Sequence, residues 1–470
     1  MLKKFISDSV IYLVPSFLSK ISGFILLLIY VRNLSLEEYG IAELILITFS
    51  LLNMLLPLEI TQGVARFFRE TPISERHKIV STSSIFTGIV FLLPILASFL
   101  IFLFYKDINL IESLNNKILI LISAFMFFCS LQRLIENQLR WSIMPKEYAY
   151  LTIFGFISLI IFAWYFVYIV KLNLLGFILA NVLSSALSVF FGYYLLSYKF
   201  NLTLTFDKKI LKTLLNFSYP LVFSSSAFYI FSYSDRWMLQ FYESAESVGL
   251  YGSASRIAIL TATLHILLRS AFMPLVYDSY KKDQTRKDIS NIFTIVTMIG
   301  IVLISFIFLF SKELVDLILG EDYALASSIV ATISVSLILV NTYFYAPGLS
   351  IAKKTKLIAI ISFICAGINI MGNFILIPAF SLKGAAFSSV IASFSLVALY
   401  FYFGQKEYKI DYEYRSIFLI MMLWILFVTF INFFILSYLY KILFLSLFIV
   451  VTILLCWKQL KSTYYALSKT

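Results

Sequence analysis

The chain has 470 residues, of which 61% are hydrophobic and only 13% are charged, and its mean hydropathy is +0.94. Soluble globular proteins have an apolar content of about 45–50%, so this composition excludes an ordinary cytosolic fold. The formal net charge is +12, which in a soluble protein would suggest a nucleic-acid partner. Cys129, Cys365 and Cys456 each lie inside an apolar run, which fits neither a disulfide framework nor a metal site. The chain is therefore predicted to be an integral membrane protein.

The apolar runs predict an all-α membrane fold. A bilayer-spanning helix requires roughly 20 mostly apolar residues, which allows about fourteen spans in a chain of this composition. Pro57 falls within the second predicted span, and Arg256 and Arg269 fall within the eighth. The predicted spans are 10–31, 40–63, 81–104, 117–139, 148–170, 174–198, 214–237, 248–273, 289–310, 323–347, 356–378, 384–404, 416–438 and 441–457.

The distribution of Lys and Arg predicts the orientation of these spans. Most of the 37 basic residues fall in alternate loops, and such loops lie on the cytoplasmic side of a membrane. We therefore expect a multi-pass membrane protein with both termini in the cytoplasm. The basic loops then have anionic membrane lipids as partners, and no nucleic acid is needed to explain the net charge. The basic segments are 3–4, 66–78, 133–146, 199–212, 281–287, 353–356, 406–415 and 458–469.

Short sequence matches predict an internal repeat. Glu38–Ala42 resembles Ser247–Tyr251, and Leu175–Gly176 matches Lys383–Gly384, each at an offset of about 208 residues. Six predicted helices separate the partners, so both halves have one orientation and a pseudo-twofold axis along the membrane normal. The expected domains are a six-helix lobe over residues 1–200, a second over 201–404 and two appended helices over 405–470. The alternative is that many helical bundles share Gly-rich helix starts.

Charged residues inside the spans mark the candidate cavity, because a charge in hydrocarbon needs a wet or paired environment. Lys20 and Arg256 are expected to face a water-filled cleft between the lobes. Arg236 is either a third such cation or one half of an interfacial pair with Asp235. Because cations outnumber acids there, the cleft suits an anionic cargo such as a phosphate or diphosphate. The candidate substrate-binding cations are Lys20, Arg256, Arg236 and Arg269.

Two further groups of charges are candidates for gating and coupling. Arg66, Arg133, Glu136 and Arg140 form a candidate gate network at the cytoplasmic side, and the last three share one helix face. The alternative is that these three only neutralise one another at a helix end. Glu43 and Glu59 are candidate titrating groups if transport is coupled to a proton or sodium gradient.

Several segments carry a resemblance to a known family. They are Val31–Leu34 with Glu37–Gly40, Asp235–Arg236 with Val248–Tyr251, and Asn369–Asn373 followed by Leu376–Pro378 and Gly384–Ala386. The chain resembles the O-antigen or capsule repeat-unit flippases (Wzx-type) of the multidrug/oligosaccharidyl-lipid/polysaccharide exporter superfamily. The resemblance extends over about residues 5–404 of the chain.

The resemblance implies translocation of an undecaprenyl-diphosphate-linked oligosaccharide across the cytoplasmic membrane by alternating access. It implies no enzyme activity and no cofactor, with a polysaccharide polymerase and chain-length proteins as partners. By position, Lys20, Arg256, Arg236 and Arg269 fall where the family's cavity cations are expected. The last two helices would contribute a groove for the polyprenyl tail, as in the related lipid II flippase.

Two other functions are weighed against a flippase. A cation-coupled multidrug exporter of the same fold would usually carry an acidic residue in helix 1, and none occurs between Val10 and Tyr30. A membrane-embedded glycan polymerase or ligase would need a large outside loop, and the predicted loops are all short. Both alternatives are therefore disfavoured.

Overall fold

The computed structural model describes residues 22–68, 70–104, 116–141, 144–200, 205–432, 438–457 and 459–461. Helices dominate this part of the chain, which contains no β-strand. The helices, in chain order, are α1 (described part Ser22–Val31), α2 (Leu36–Leu55), α3 (Ile60–Phe67), α4 (Arg76–Phe104), α5 (Asn116–Trp141), α6 (Pro145–Ala163), α7 (Asn173–Phe200), α8 (Lys208–Tyr242), α9 (Ala245–Ser279), α10 (Asp283–Ile318), α11 (Ser327–Thr342), α12 (Gly348–Ile351), α13 (Thr355–Glu407), α14 (Tyr414–Asn432) and α15 (Tyr438–Leu455).

The predicted all-α membrane fold is confirmed. Among the described residues, 11 helical segments are long and apolar enough to cross a membrane. The segment Thr355–Glu407 contains two predicted spans, because Ser381 has a non-helical conformation with φ 55° and interrupts α13. Of the predicted spans, 10–31 is described only from Ser22, and 248–273 lies within α9. The described helices thus follow the predicted order.

One predicted span is wrong in its continuity. The sequence predicts a single helix over 40–63, whereas α2 ends at Leu55 and α3 begins at Ile60. Pro57 lacks a backbone N–H and clashes with the preceding helical turn, so the helix stops there. Leu58 and Glu59 then adopt left-handed conformations with φ of 51° and 53°, which are strained for residues other than Gly.

The contacts divide the chain into two compact units, with the boundary inside α8 between Tyr229 and Ile230. Unit 1 has a core in which α3, α4, α5, α6 and α7 bury aliphatic side chains such as Ile60, Ile135 and Leu151. Unit 2 has a separate aromatic core that includes Phe293 and Tyr345.

The two units carry matching local contacts at the spacing of the predicted repeat. Ser35 caps α2 by accepting a hydrogen bond from the Glu38 backbone N–H at 3.1 Å, and Ser244 caps α9 by accepting one from Ser247 at 3.4 Å. Gly176 lies against the backbone carbonyl of Phe166, in the π-helical turn Trp164–Ile169 that follows α6, and Gly384 lies against that of Leu376 in the first half of α13. A Cβ atom at either glycine would clash with that carbonyl.

Connecting segments are tied to the bundle by hydrogen bonds in both units. In unit 1, the Oγ of Ser81 accepts a hydrogen bond from the Thr205 backbone N–H at 2.9 Å. In unit 2, the equivalent Ser290 donates to the Asp411 carbonyl at 2.9 Å. Tyr412 also donates from its hydroxyl to the Tyr345 carbonyl at 2.6 Å. The segment that leads into α14 is therefore fastened to α10 and to the residues after α11.

Candidate functional site

A polar cavity of about 200 Å³ lies in unit 1. Four of its lining residues, at positions 133, 136, 137 and 140, follow the i, i+3, i+4, i+7 spacing that places them on one face of α5. The break between α2 and α3 lies beside the cavity, since Asn53 precedes the break and Thr61 follows it. The lining consists of Asn53, Thr61, Arg133, Glu136, Asn137, Arg140 and Tyr148.

The two arginines of this cavity lie over aromatic rings. The Cζ of Arg133 is 4.6 Å from the ring centroid of Phe49, and that of Arg140 is 5.4 Å from the ring centroid of Trp141. Glu136 accepts a hydrogen bond from Gln132 through Oε1 at 2.9 Å. Within the part of the chain that the structure describes, no salt bridge joins Glu136 to either arginine.

Unit 2 contains the ion pair that the sequence raised as one alternative for Arg236. The Nη1 atom of Arg236 lies 3.2 Å from Oδ1 of Asp235 and donates a hydrogen bond to the Ser232 carbonyl at 3.3 Å. The guanidinium also lies over the rings of Tyr233 and Tyr251, at 5.6 and 5.3 Å from their centroids. Arg236 is therefore held in place by its own unit, and its role in substrate binding stays a prediction.

A network of amide and hydroxyl groups adjoins this pair in the sequence of α8. Ser234 donates from Oγ to Oδ1 of Asn369 at 2.6 Å, and Asn373 donates to the same oxygen at 3.2 Å. Ser388 donates to the Asn369 carbonyl at 2.8 Å. The network joins α8 to both halves of α13. The sequence shows Asn369 and Asn373 one turn apart, but nothing in it singles out Ser234 as their partner.

The remaining predicted site residues occupy different environments. Arg66 is exposed and pairs with Glu70 at 2.6 Å, and it does not line the cavity with Arg133. Glu43 is buried and accepts a hydrogen bond from the Tyr39 hydroxyl at 3.1 Å. Glu59 caps α3 in the strained break, without a side-chain hydrogen bond to the helix. These three roles stay predictions.

The predicted cavity cations are only partly described. Arg256 is exposed on α9. Lys20 lies outside the described residues, and the side chain of Arg269 is also outside the described part of α9. The described residues contain no group of three or more His, Cys, Asp or Glu side chains that could hold a metal ion.

An apolar groove of about 510 Å³ lies between α14 and α15. Both helices have mostly exposed apolar side chains, and of α15 only Phe448 and Thr452 are buried. Such surfaces suit contact with lipid. The groove is lined by Leu423, Leu426, Phe427, Thr429, Phe430, Phe444, Leu447, Phe448 and Val451.

The fold has solved counterparts. The structure is similar to that of the lipid II flippase MurJ in an inward closed conformation, with a TM-score of 0.76 and 15% identity over 96% of this chain and 99% of that one. It is also similar to an inward-facing multidrug resistance transporter, with a TM-score of 0.66 and 16% identity over 82% of this chain and 94% of that one. The fold is therefore shared with MurJ and with this multidrug resistance transporter.

The family is shown by a sequence model described as polysaccharide biosynthesis protein, which matches residues 5–280, more than half of the chain. The chain belongs to this family. A second model, MatE, matches residues 220–375. The protein is thus a multi-pass membrane protein of the polysaccharide biosynthesis family, in agreement with the family that its sequence resembles.

Relatives of known name extend over much of the chain. The Lsg locus putative protein 1 of Haemophilus influenzae is 22% identical over 86% of this chain and 99% of its own length. The capsular polysaccharide biosynthesis protein CapF of Staphylococcus aureus is 24% identical over 64% of this chain and 82% of its own. The probable low-salt glycan biosynthesis flippase Agl15 of Haloferax volcanii is 25% identical over 44% of each chain.

Proposed function

We propose that the protein flips an undecaprenyl-diphosphate-linked oligosaccharide repeat unit across the bacterial cytoplasmic membrane for O-antigen or capsule synthesis. The match of the polysaccharide biosynthesis family to residues 5–280 carries this proposal. The names of CapF and Agl15 support it, since the first is a capsular biosynthesis protein and the second a glycan flippase.

The charges and the groove suit the two parts of such a cargo. Lys20 and Arg256, with Arg236 and Arg269 as further cations, hold the negatively charged diphosphate head. The apolar groove of α14 and α15 offers a surface for the polyprenyl tail, because apolar chains associate with apolar surfaces at about 25 cal/mol per Å² buried. Movement between two repeat-related lobes, over residues 1–200 and 201–404, then carries the head to the outer side.

The proposal includes the orientation, the coupling and the partners. Both termini lie in the cytoplasm, where the basic loops face anionic lipid headgroups. Glu43 and Glu59 are the groups proposed to titrate if a proton or sodium gradient drives transport, and the gate network comprises Arg66, Arg133, Glu136 and Arg140. A polysaccharide polymerase and chain-length proteins receive the flipped repeat unit.

The proposal is tested by complementation in a strain that lacks its own repeat-unit flippase. Lys20→Ala and Arg256→Ala should abolish surface glycan while the protein still inserts into the membrane. Lys383→Ala is the matched control, because Lys383 is exposed and belongs to none of the proposed sites. Normal surface glycan in both cavity variants would contradict the cavity assignment. Resistance to cationic dyes without restored glycan would instead indicate the multidrug exporter.

A further inference from the structure

We propose that the polar cavity of unit 1, formed by α2, α3, α5 and α6, binds a phosphate-bearing anion. The inference goes beyond the proposed cargo, because it concerns phosphate chemistry at a cavity lined by residues other than Lys20, Arg256 and Arg236. It also holds if the gate role predicted for α5 fails.

The charge of the lining favours an anion. Arg133 and Arg140 contribute two positive charges and Glu136 contributes one negative charge, so the cavity is cationic. Within the described residues neither arginine has a carboxylate in salt-bridge contact. Two guanidinium groups at one cavity attract an anion more strongly than they would in open water, where the effective dielectric constant is higher.

The positions of the arginines leave suitable donors. A guanidinium that lies over a ring, as Arg133 does over Phe49 and Arg140 over Trp141, presents its N–H groups around its edge. That planar edge can donate to two oxygens of one phosphate group, which a lysine cannot do. Stacking also restricts the side chain, so less conformational freedom is lost when an anion binds.

The remaining lining residues fit the same ligand. Asn53, Thr61 and Tyr148 add amide and hydroxyl groups around the arginines. The volume of about 200 Å³ exceeds that of several water molecules, at about 30 Å³ each in the liquid, so a phosphate or diphosphate group fits. Glu136 lies between the two arginines on α5, and its charge opposes an anion.

The site is tested by protection of individual arginines in the purified full-length protein. Phenylglyoxal modifies exposed arginines, and mass spectrometry measures the rate at each position. Inorganic pyrophosphate, at ten times its half-protecting concentration, should slow modification of Arg133 and Arg140 by about tenfold, because the unbound fraction falls as 1/(1 + [L]/Kd). Arg66 is the matched control, because it is exposed in the same unit but pairs with Glu70 outside the cavity.

A charge variant provides a readout of opposite sign. Glu136→Gln keeps the side-chain volume and removes the opposing charge, so half-protection should need about fivefold less pyrophosphate. Equal rates with and without pyrophosphate, equal slowing at Arg66, or weaker protection in Glu136→Gln would each overturn the site.

The source of the phosphate is decided by the lipid around the protein. In phosphatidylcholine nanodiscs only added pyrophosphate should protect Arg133 and Arg140. Protection in phosphatidylglycerol nanodiscs without pyrophosphate would support the site and assign it to a lipid headgroup, whereas protection by pyrophosphate alone would support it and assign it to a soluble or cargo-borne diphosphate. None of these measurements requires transport, so failure of the proposed flippase cargo is distinguished from failure of this site.

Discussion

Ser35 and Ser244 cap the N-termini of α2 and α9 through the same contact, each accepting a hydrogen bond from the backbone N–H three residues later. In α2 the cap is reciprocal, because Glu38 also accepts from the Ser35 backbone N–H at 3.0 Å. In α9 the residue three positions on is Ser247, whose short side chain cannot return that bond.

The caps predict a difference in stability between two variants. Ser35→Ala should lower the free energy of unfolding by about 1 kcal/mol, and Ser244→Ala by less, since loss of an N-cap costs about 0.5–2 kcal/mol. Thermal unfolding in detergent measures both. Ser446→Ala is the control, because Ser446 is exposed and bonds only within its own helix turn. An equal loss of unfolding free energy for Ser446→Ala would show that the two caps contribute no more to stability than an ordinary exposed serine.

Adding a side chain at Gly384 should destabilise the protein through a steric clash. The Cα of Gly384 lies against the carbonyl of Leu376, so Gly384→Ala must separate the two halves of α13. We expect a loss of about 1–3 kcal/mol, seen as a lower yield of monodisperse protein and a lower Tm. Gly367→Ala lies on the same helix and meets no atom within 4 Å, so it should leave the Tm unchanged or slightly raised. Equal effects of the two substitutions would refute the close contact.

Replacing Asn369 should measure how much the amide network contributes to the stability of unit 2. Asn369→Ala removes the acceptor of Ser234 and Asn373, and we expect a loss of about 1–2 kcal/mol. Asn341→Ala is the matched control, because Asn341 donates only to the Leu337 carbonyl within its own helix. A double-mutant cycle with Ser234→Ala should show coupling between Ser234 and Asn369. Additive effects would mean that the two side chains act independently.

The stability of the protein should depend on pH through Asp207, which lies at the start of α8. Hydrogen bonds from the backbone N–H groups of Ile210 and Lys209, at 3.2 and 2.8 Å, lower the pKa of its carboxyl group. A lowered pKa adds stability that is present above the unfolded-state value of about 3.9 and is lost as the pH falls through the folded-state value.

The test compares wild type with Asp207→Asn, which keeps a capping oxygen but carries no charge. The difference in Tm between them should shrink as the pH falls from about 6 to about 3. Asp207→Ala, which lacks both features, should be less stable than wild type at neutral pH. A difference between wild type and Asp207→Asn that is constant over this range would contradict the assigned role of the charge.

The sequence predicts the helices well because apolar runs of membrane length have few alternatives. It also predicts the shared face of Arg133, Glu136 and Arg140, because helical spacing determines which side chains are neighbours. The cavity itself could not be predicted, since its lining combines the face of α5 with Thr61 from beyond the break at Pro57 and Tyr148 from the next helix. The hydrogen bond between Ser234 and Asn369 could not be predicted either, because the two residues are 135 positions apart in the sequence.

The fastening of the segment before α14 has a mechanical consequence. Ser290 and Tyr412 hold this segment by hydrogen bonds, and the pair of Lys441 with Glu313 joins α15 to α10. These contacts bind the C-terminal hairpin to the rest of unit 2, of which it is a part, and restrict its movement on its linker. A hydrocarbon chain bound in the groove between α14 and α15 would therefore move together with unit 2.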